Sequence, residues 1–445
     1  MAFDIPENIR AVLDCLRRAG FRAVPVGGCV RDLLLGNPPH DWDIATSATP
    51  GEMLAVFSDF RTFELGQSAA KHGTITVLCG GAPVEVTTFR QDGPYSDGRR
   101  PDSVRFSREL ADDLARRDFT INALCLGEDG GVIDLFGGRR DLEAGVIRAI
   151  GDPDRRFDED ALRILRALRF AAALRFAIEQ QTADSMERRA DRLALLSAER
   201  VRGELEKLLC APGCTRVLLQ YRQIMLTVLP ELRGAPQQNA PNRGGYVHAA
   251  RALRYAPPKV PVRVALLLRD LGRPPCDGED AHCDRAAENT ALAGGVLRRL
   301  KFSNAIRAQI LFLVQNRDLA LCGADRTALK RLLSAHGVDA LADLFAMQRA
   351  DIAAQQGQRQ RLARLEEAQR LMQDILSQRP PLSRSQLAIS GRDLIAAGFA
   401  PGPGLGALLE LLLQRVLEEA LPNEPLALLD YARAHRQGMR DDAAH

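Results

Sequence analysis

The sequence predicts an α+β protein: a small mixed α/β head followed by a long, all-helical remainder. Three observations carry that expectation. Short β-branched runs bounded by Gly, Pro or Asp (FRAVPVGG, DWDIAT, GTITVL, APVEVTTF and FTINALCL) are confined to the first 137 residues, and such runs read as strands. From about residue 157 onward, Leu and Ala recur at three- and four-residue spacing, the period of helices with one apolar face. A chain of 445 residues also exceeds one ordinary domain.

Within the head, helical patterns lie near 6–19, 29–35, 50–57 and 108–116, between the strand-like runs. Residues 90–107, RQDGPYSDGRRPDSVRFS, have the Gly, Asp, Ser and Arg content of a functional loop. The texture changes after DLFGGRRD at 134–141. Further breaks fall at 211–213, 234–244, 256–261, 378–384 and 401–406, with no fixed-period repeat. The resulting division is a head at 1–137, a helical neck at 138–210, a helical body at 211–320 and a helical tail at 321–445.

Composition narrows the chemistry. A net charge of +3, from 60 basic and 57 acidic residues, excludes a wholly basic coat but leaves room for a local basic groove. Most basic residues are Arg, which suits planar, bidentate contacts to phosphate and base edges; a GC-rich genome gives the same bias. The first residues, MAFDIPENIR, carry charge early and do not read as a signal peptide, and no stretch approaches the ~18 apolar residues of a membrane span. Nine Cys at irregular spacing, without a C-x-x-C, read as reduced thiols of a cytoplasmic protein. Cys276, His282 and Cys283 give a weak zinc pattern, and scattered free thiols explain them as well.

The head carries two constellations. In the first, a strand ends in Gly27 and Gly28 and opens a helix containing Arg31; ten residues on come Asp41 and Asp43. Glycines let backbone N–H groups approach a phosphate, and Arg31 can clamp a triphosphate. Alternation along a strand puts Asp41 and Asp43 on one face, a hard-cation site suited to Mg²⁺ shared with substrate phosphates. Glu85, between Val84 and Val86, is either a third carboxylate or a solvent-facing residue. Taken singly, Gly-Gly is a turn and D-x-D a solvated strand edge; their order and spacing make the combination informative. In the second, Arg116-Arg117-Asp118 precedes FTINAL. Arg117 can meet phosphate or ribose and Asp118 a ribose hydroxyl, although arginines matched to a helix C-terminus fit too.

GGCVRD, DWD, RRDFTINAL, DLFGGRRD and FDEDALRILRALRF resemble, in order, the class II tRNA nucleotidyltransferase / poly(A) polymerase family, continuously from residue 24 to about 210 and again, weakly, in LAISGRDLIAAGFAPGPGLGALL. The resemblance implies a polymerase-β-type head and template-independent addition of CCA to tRNA 3′ ends from CTP and ATP, with pyrophosphate released. An A-adding enzyme and a bacterial poly(A) polymerase are the alternatives; FELGQSAAKHGTITV looks like the CCA-adding version. The resemblance also implies that Gly27, Gly28, Arg31, Arg117, Asp118, Asp160, Arg163, Arg166 and Arg169 contact the nucleotide, that Asp41 and Asp43 hold Mg²⁺, and that residues 90–107 form a loop that reshapes the site. Phe157–Arg175 reads as one helix, with Asp160 and Arg163 a turn apart on one face. In the family this pair templates the incoming base. C and A both offer an amino donor beside a ring-nitrogen acceptor, whereas U and G reverse that order, so a carboxylate beside a guanidinium accepts the first two. The neck segment from Ser197 to Glu204 is expected to play a supporting role, Gly137 and Gly138 to form a hinge or an αL turn, and the tail to contact tRNA.

Residues 245–318 resemble an HD-type phosphohydrolase domain whose metal ligands are lost. Arg269 stands before Asp270 where His is usual, and Arg317 where another is expected, although His248 remains. Arg has no lone pair to offer a metal. The expectation is a helical scaffold without hydrolase activity, its arginines either meeting RNA phosphates or forming plain surface charge.

Overall fold

The computed structural model describes residues 3–63, 73–93, 103–233, 245–271, 281–320, 325–355 and 357–442. The chain forms two compact units. The first comprises residues 1–233 with Arg299–Lys301, and the second comprises 234–298 with 302–445. The expected head (1–137) and neck (138–210) both fall within the first unit. Half of the 90–107 loop (94–102) and most of FELGQSAAKHGTITV (64–72) lie outside the described residues, as does Cys276.

The head is built on one five-stranded sheet. Its first elements are α1 (Glu7–Arg18), β1 (Ala23–Pro25), α2 (Gly28–Leu34), β2 (Asp43–Thr46), α3 (Pro50–Val56), β3 (Arg61–Phe63), β4 (Thr74–Cys79) and β5 (Ala82–Thr88). The strand order is β1-β2-β5-β4-β3, antiparallel except where β2 runs parallel to β5. Helix α1 forms because Ile9, Val12, Leu13 and Leu16 recur at helical spacing, and that stripe packs on Ile44, Ile75, Val77, Val84 and Val86. The opposite face meets a second cluster, in which Val24, Ala45, Phe89, Leu114 and Ile150 are buried. Alternation therefore gives each sheet face its own core, and the expected inward placing of Val84 and Val86, with Glu85 between them pointing out, is observed.

Gly137 and Gly138 have separate roles. Gly137 adopts φ 75°, the αL turn. A Cβ on Gly138 would sit 2.1 Å from the Thr120 carbonyl oxygen, so that position is a close approach of two backbone segments. Asp134 fixes the turn by accepting from the backbone N–H of Phe136, Gly138 and Arg139.

Beyond the head, the regular elements of the first unit are helices apart from the short strands Val146–Ile147 and Ala177–Ile178, and among the described residues those of the second unit are all helices. In the second unit Arg269 and Arg317, expected either to meet RNA phosphates or to form plain surface charge, are buried. Arg269 pairs with Asp270 at 3.1 Å and with Asp351, and Arg317 meets Asp270 at 3.0 Å. His248 is also buried, with its Nε2 2.5 Å from Asp351. A buried guanidinium must be paired, and here carboxylates do so, leaving Arg269 and Arg317 no free face for RNA. A separate apolar cluster, centred on Leu394, Leu412, Leu413 and Leu428, holds the last helices together.

Two glycine substitutions test this packing. Gly138→Ala is expected to lose about 1–3 kcal/mol of stability by overpacking. Gly203→Ala, inside the helix Ala198–Cys210 with nothing within 4 Å of the added methyl, is expected to gain ~0.5–1 kcal/mol. Urea denaturation of both variants gives the two signs.

Candidate active site

One cleft of about 640 Å³ gathers most of the residues singled out in the sequence. Gly27, Gly28, Arg31, Asp41, Asp43, Arg117, Asp118, Asp160, Arg163, Arg166 and Arg169 all line it; Glu85 does not. Its size falls within the range of small-ligand sites. Seven arginines and five aspartates line its walls, a cationic excess that suits a polyanion.

The acidic wall comes from the sheet. Asp41 lies just before β2, and Asp43 is that strand's first residue, in register with Glu85 on β5. Asp43 is open to the cleft but crowded by protein. That crowding raises its carboxyl above the ordinary range, Arg117 opposes the shift, and the neighbouring Asp41 adds to it. Glu85 is raised by burial and by both aspartates. Among the described residues, no three such side chains converge to enclose an ion by themselves. The donor set is therefore two hard oxygen ligands whose charge Arg117 offsets only in part. It fits a hard divalent cation whose remaining ligands are phosphate oxygens and water.

The glycine turn is shaped by the opposite wall. Gly27 takes φ 85°, and a Cβ there would sit 3.0 Å from Arg117 Nη1. The guanidiniums that face the cleft are held from behind. Arg31 donates to Asp32 at 2.8 and 2.9 Å and to Asn122 at 2.7 Å. Arg116 and Arg117 both donate to the fully buried Asp113. Arg166 donates to Asp118 at 2.7 Å, and Arg169 to Glu204 at 2.6 Å. Asp118 also accepts from the Phe119 N–H and the Asn122 amide, so both of its oxygens are engaged and the residue organises the wall. Burial alone would raise the Asp118 carboxyl, but Arg166 and the two further donors outweigh it and hold the group at about 2.

The single helix expected over Phe157–Arg175 is two. Pro153–Glu159 ends at Asp160, which is extended (φ −150°, ψ 103°), and a second helix runs Leu162–Leu174. The physical reason is the aspartate itself. Its Oδ1 accepts from the Leu162 N–H at 3.0 Å, satisfying a free backbone donor at the start of the second helix. Asp160 and Arg163 are thus joined by a tight turn, and the Arg163 N–H donates to the Asp160 carbonyl at 3.0 Å. The two side chains are not paired with each other. Asp160 accepts from Arg200 at 2.6 Å. Arg163 donates to Glu159 at 2.6 Å and to the carbonyls of Arg156 and Arg116, which uses three of its five N–H donors.

Several contributors escaped the sequence reading. Asp113 was visible as an acid three and four residues before Arg116 and Arg117, the spacing of helical ion pairs. Arg200 and Glu204 lay in a segment given only a supporting role, yet Arg200 lines the cleft. Phe170, Asn122 and Glu159 carried no local signal.

A sheet-based head presenting two carboxylates across a cleft from ranked arginines defines a nucleotidyltransferase. Comparisons with known proteins agree. The poly A polymerase head domain matches residues 23–148, the RNA and SrmB-binding site of polymerase A matches 175–235, and tRNA nucleotidyltransferase domain 2 matches 286–432. The CCA-adding enzyme of Limosilactobacillus fermentum is 37% identical over 429 residues, covering 96% of each chain. That of Limosilactobacillus reuteri is 51% identical over 203 residues, covering 46% of this chain and 49% of its own. The crystal structure of the Bacillus stearothermophilus CCA-adding enzyme in complex with CTP superposes with a TM-score of 0.70 at 29% identity, covering 98% of both chains. The chain belongs to the CCA-adding enzyme family. Among the described residues, no helix is long and apolar enough to cross a membrane.

The Asp118 environment makes a pH prediction. A carboxyl held near 2 in the folded state stabilises it at pH values above the unfolded pKa, and that stability is lost as pH falls from ~4 through about 2. Asp118→Asn is expected to cost on the order of 2 kcal/mol at pH 7, with the difference from the parent shrinking towards pH 2. Denaturant titrations at both pH values check the sign; a pH-independent difference would contradict the charge-pair account.

Proposed function

We propose that this chain adds C, C and A to tRNA 3′ ends, using CTP and ATP and releasing pyrophosphate, with the base selected by protein side chains. The observation that carries this reading is that the Asp41–Asp43 pair, the arginine wall and the Asp160–Arg163 turn all line one cleft. One nucleotide can span them: phosphates against the arginines, base at the turn.

Asp41 and Asp43 are the residues to hold Mg²⁺. When bound, the ion supplies activation of the RNA 3′-hydroxyl and stabilisation of the leaving pyrophosphate. Arg31, Arg117, Arg166 and Arg169 bind and orient the triphosphate, with Gly27 and Gly28 giving the backbone room to approach it. Asp118 keeps Arg166 aimed. With Asn122, which also takes a hydrogen bond from Arg31, it ties two sides of the cleft together. Catalysis by such a wall is positioning and charge stabilisation, as in other phosphoryl transfers.

Base choice follows from the turn. The Asp160 carboxylate, fixed by Arg200 and the Leu162 N–H, keeps further lone pairs for an exocyclic amino group. Arg163 retains two N–H donors for a ring nitrogen. C and A satisfy both groups, while U and G present a carbonyl to the carboxylate and an N–H to the guanidinium. A bidentate match supplies ~1–3 kcal/mol of discrimination, and a mismatch leaves buried polar groups unpaired.

The neck, body and tail serve tRNA. An enzyme acting on every tRNA reads shape, phosphates and 2′-hydroxyls. A soluble cytoplasmic setting fits this substrate.

Incorporation of single nucleotides on tRNA transcripts lacking CCA, CA or A tests the reading. With CTP alone, incorporation on the shortest transcript is expected, and with CTP and ATP together one A follows and addition stops; failure of CTP on every transcript with ATP still incorporated on the one lacking only A would indicate an A-adding enzyme, and a long tail a poly(A) polymerase. Asp41→Ala is expected to abolish transfer while sparing tRNA binding, and unchanged turnover would reject the metal assignment. Asp160→Ala and Arg163→Ala are expected to admit UTP and GTP; continued exclusion of both would reject side-chain templating.

A further inference from the structure

The floor of the cleft holds a feature that the nucleotide reading does not use. Phe170, 6% exposed, lies among three of the phosphate-facing guanidiniums. The Cζ of Arg169 is 3.9 Å from the ring centroid, that of Arg31 5.2 Å and that of Arg166 5.4 Å. Each lies within the ~6 Å at which an aromatic quadrupole attracts a cation. The ring is itself fixed edge-to-face against the buried Phe119, with centroids 5.9 Å apart at 81°.

Three like charges around one ring repel one another, and each is paired with a different carboxylate: Asp32 for Arg31, Asp118 for Arg166 and Glu204 for Arg169. Asn122 links Arg31 to the Asp118 that pairs with Arg166, but none of these carboxylates pairs with all three guanidiniums. Phe170 is the group within reach of all three. An aliphatic side chain of similar bulk could fill the space but offers no negative face. We infer that Phe170 is a positioning residue for the nucleotidyl transfer: its ring holds Arg31, Arg166 and Arg169 in one convergent set before substrate arrives, so that the triphosphate meets a preorganised clamp. The inference rests on the nucleotide reading of the cleft proposed above. It assigns Phe170 to the phosphates, which CTP and ATP share, and gives it no part in choosing the base.

Calorimetric binding of CTP and of inorganic tripolyphosphate to the full chain, without tRNA, tests this separately from the identity of the acceptor. Phe170→Leu is expected to weaken both ligands about 10-fold, to raise KM for CTP and ATP equally, and to leave KM for tRNA and the exclusion of UTP and GTP unchanged. Phe170→Tyr, which keeps the ring, is expected to stay within about twofold of the parent. Incorporating pentafluorophenylalanine at position 170 keeps the shape and reverses the quadrupole, and is expected to weaken tripolyphosphate at least as much as Phe170→Leu does, with an unchanged circular dichroism spectrum showing that the fold is kept. Unchanged tripolyphosphate affinity in the fluorinated protein would overturn the proposal. So would a loss confined to CTP, because the ring would then serve the base or ribose.

Discussion

Seven guanidiniums cannot share one cleft unless each is held against the repulsion of the others. Two unit charges about 5 Å apart, at an effective dielectric near 20, repel by ~3 kcal/mol. The structure meets this constraint with carboxylates placed behind the arginines. Asp32, Asp113, Asp118, Glu159 and Glu204 each take one side of a guanidinium and leave the other facing the cavity. The arrangement offsets the mutual repulsion and fixes the geometry of a wall that stays cationic, and the charge of an incoming triphosphate meets donors that need little reorganisation. The opposite wall has the reverse problem. Crowding by the surrounding protein raises the Asp43 carboxyl, Arg117 offsets that only in part, and Asp41 adds to it. The cleft is thus polarised, cation-seeking on the sheet side and anion-seeking on the helix side.

The folding of the head follows from that need. The sheet brings Asp43 and Glu85 into register, and α1 with the second core cluster buries both faces so that the strand end carrying the acids is rigid. The turn at Asp160 is the other fixed point. An aspartate that ends one helix, satisfies a backbone donor of the next and is gripped by Arg200 can present its carboxylate in one orientation. A residue in mid-helix would not be so constrained.

Much of this was legible in the sequence because it rests on local rules. Strand alternation gave the placing of Glu85 between buried valines, and the 3.6-residue period gave α1. The ordered motifs named the residues that line the cleft. What was illegible depends on partners distant in the chain. Helical spacing over Phe157–Arg175 concealed the break at Asp160, because apolar residues on both sides keep the same period while one side chain diverts the backbone. Arg269 and Arg317 read as surface or RNA-facing charge; they are buried because Asp270 and Asp351 come to meet them. Gly138 resembled a hinge, and its cause is the Thr120 carbonyl packed against it. Phe170 looked like one more apolar residue on a helix, since nothing local shows three arginines gathered around it.

The central claim is that one cleft grips a whole nucleotide, with phosphates on the arginine wall and base at the Asp160–Arg163 turn. A crystal structure of the full chain with CTP and magnesium tests it most directly. The account predicts the cytosine amino group within hydrogen-bond distance of Asp160, its ring nitrogen facing Arg163, and the α-phosphate beside Asp41 and Asp43. A base lodged away from that turn, with its phosphates still on the arginines, would contradict it.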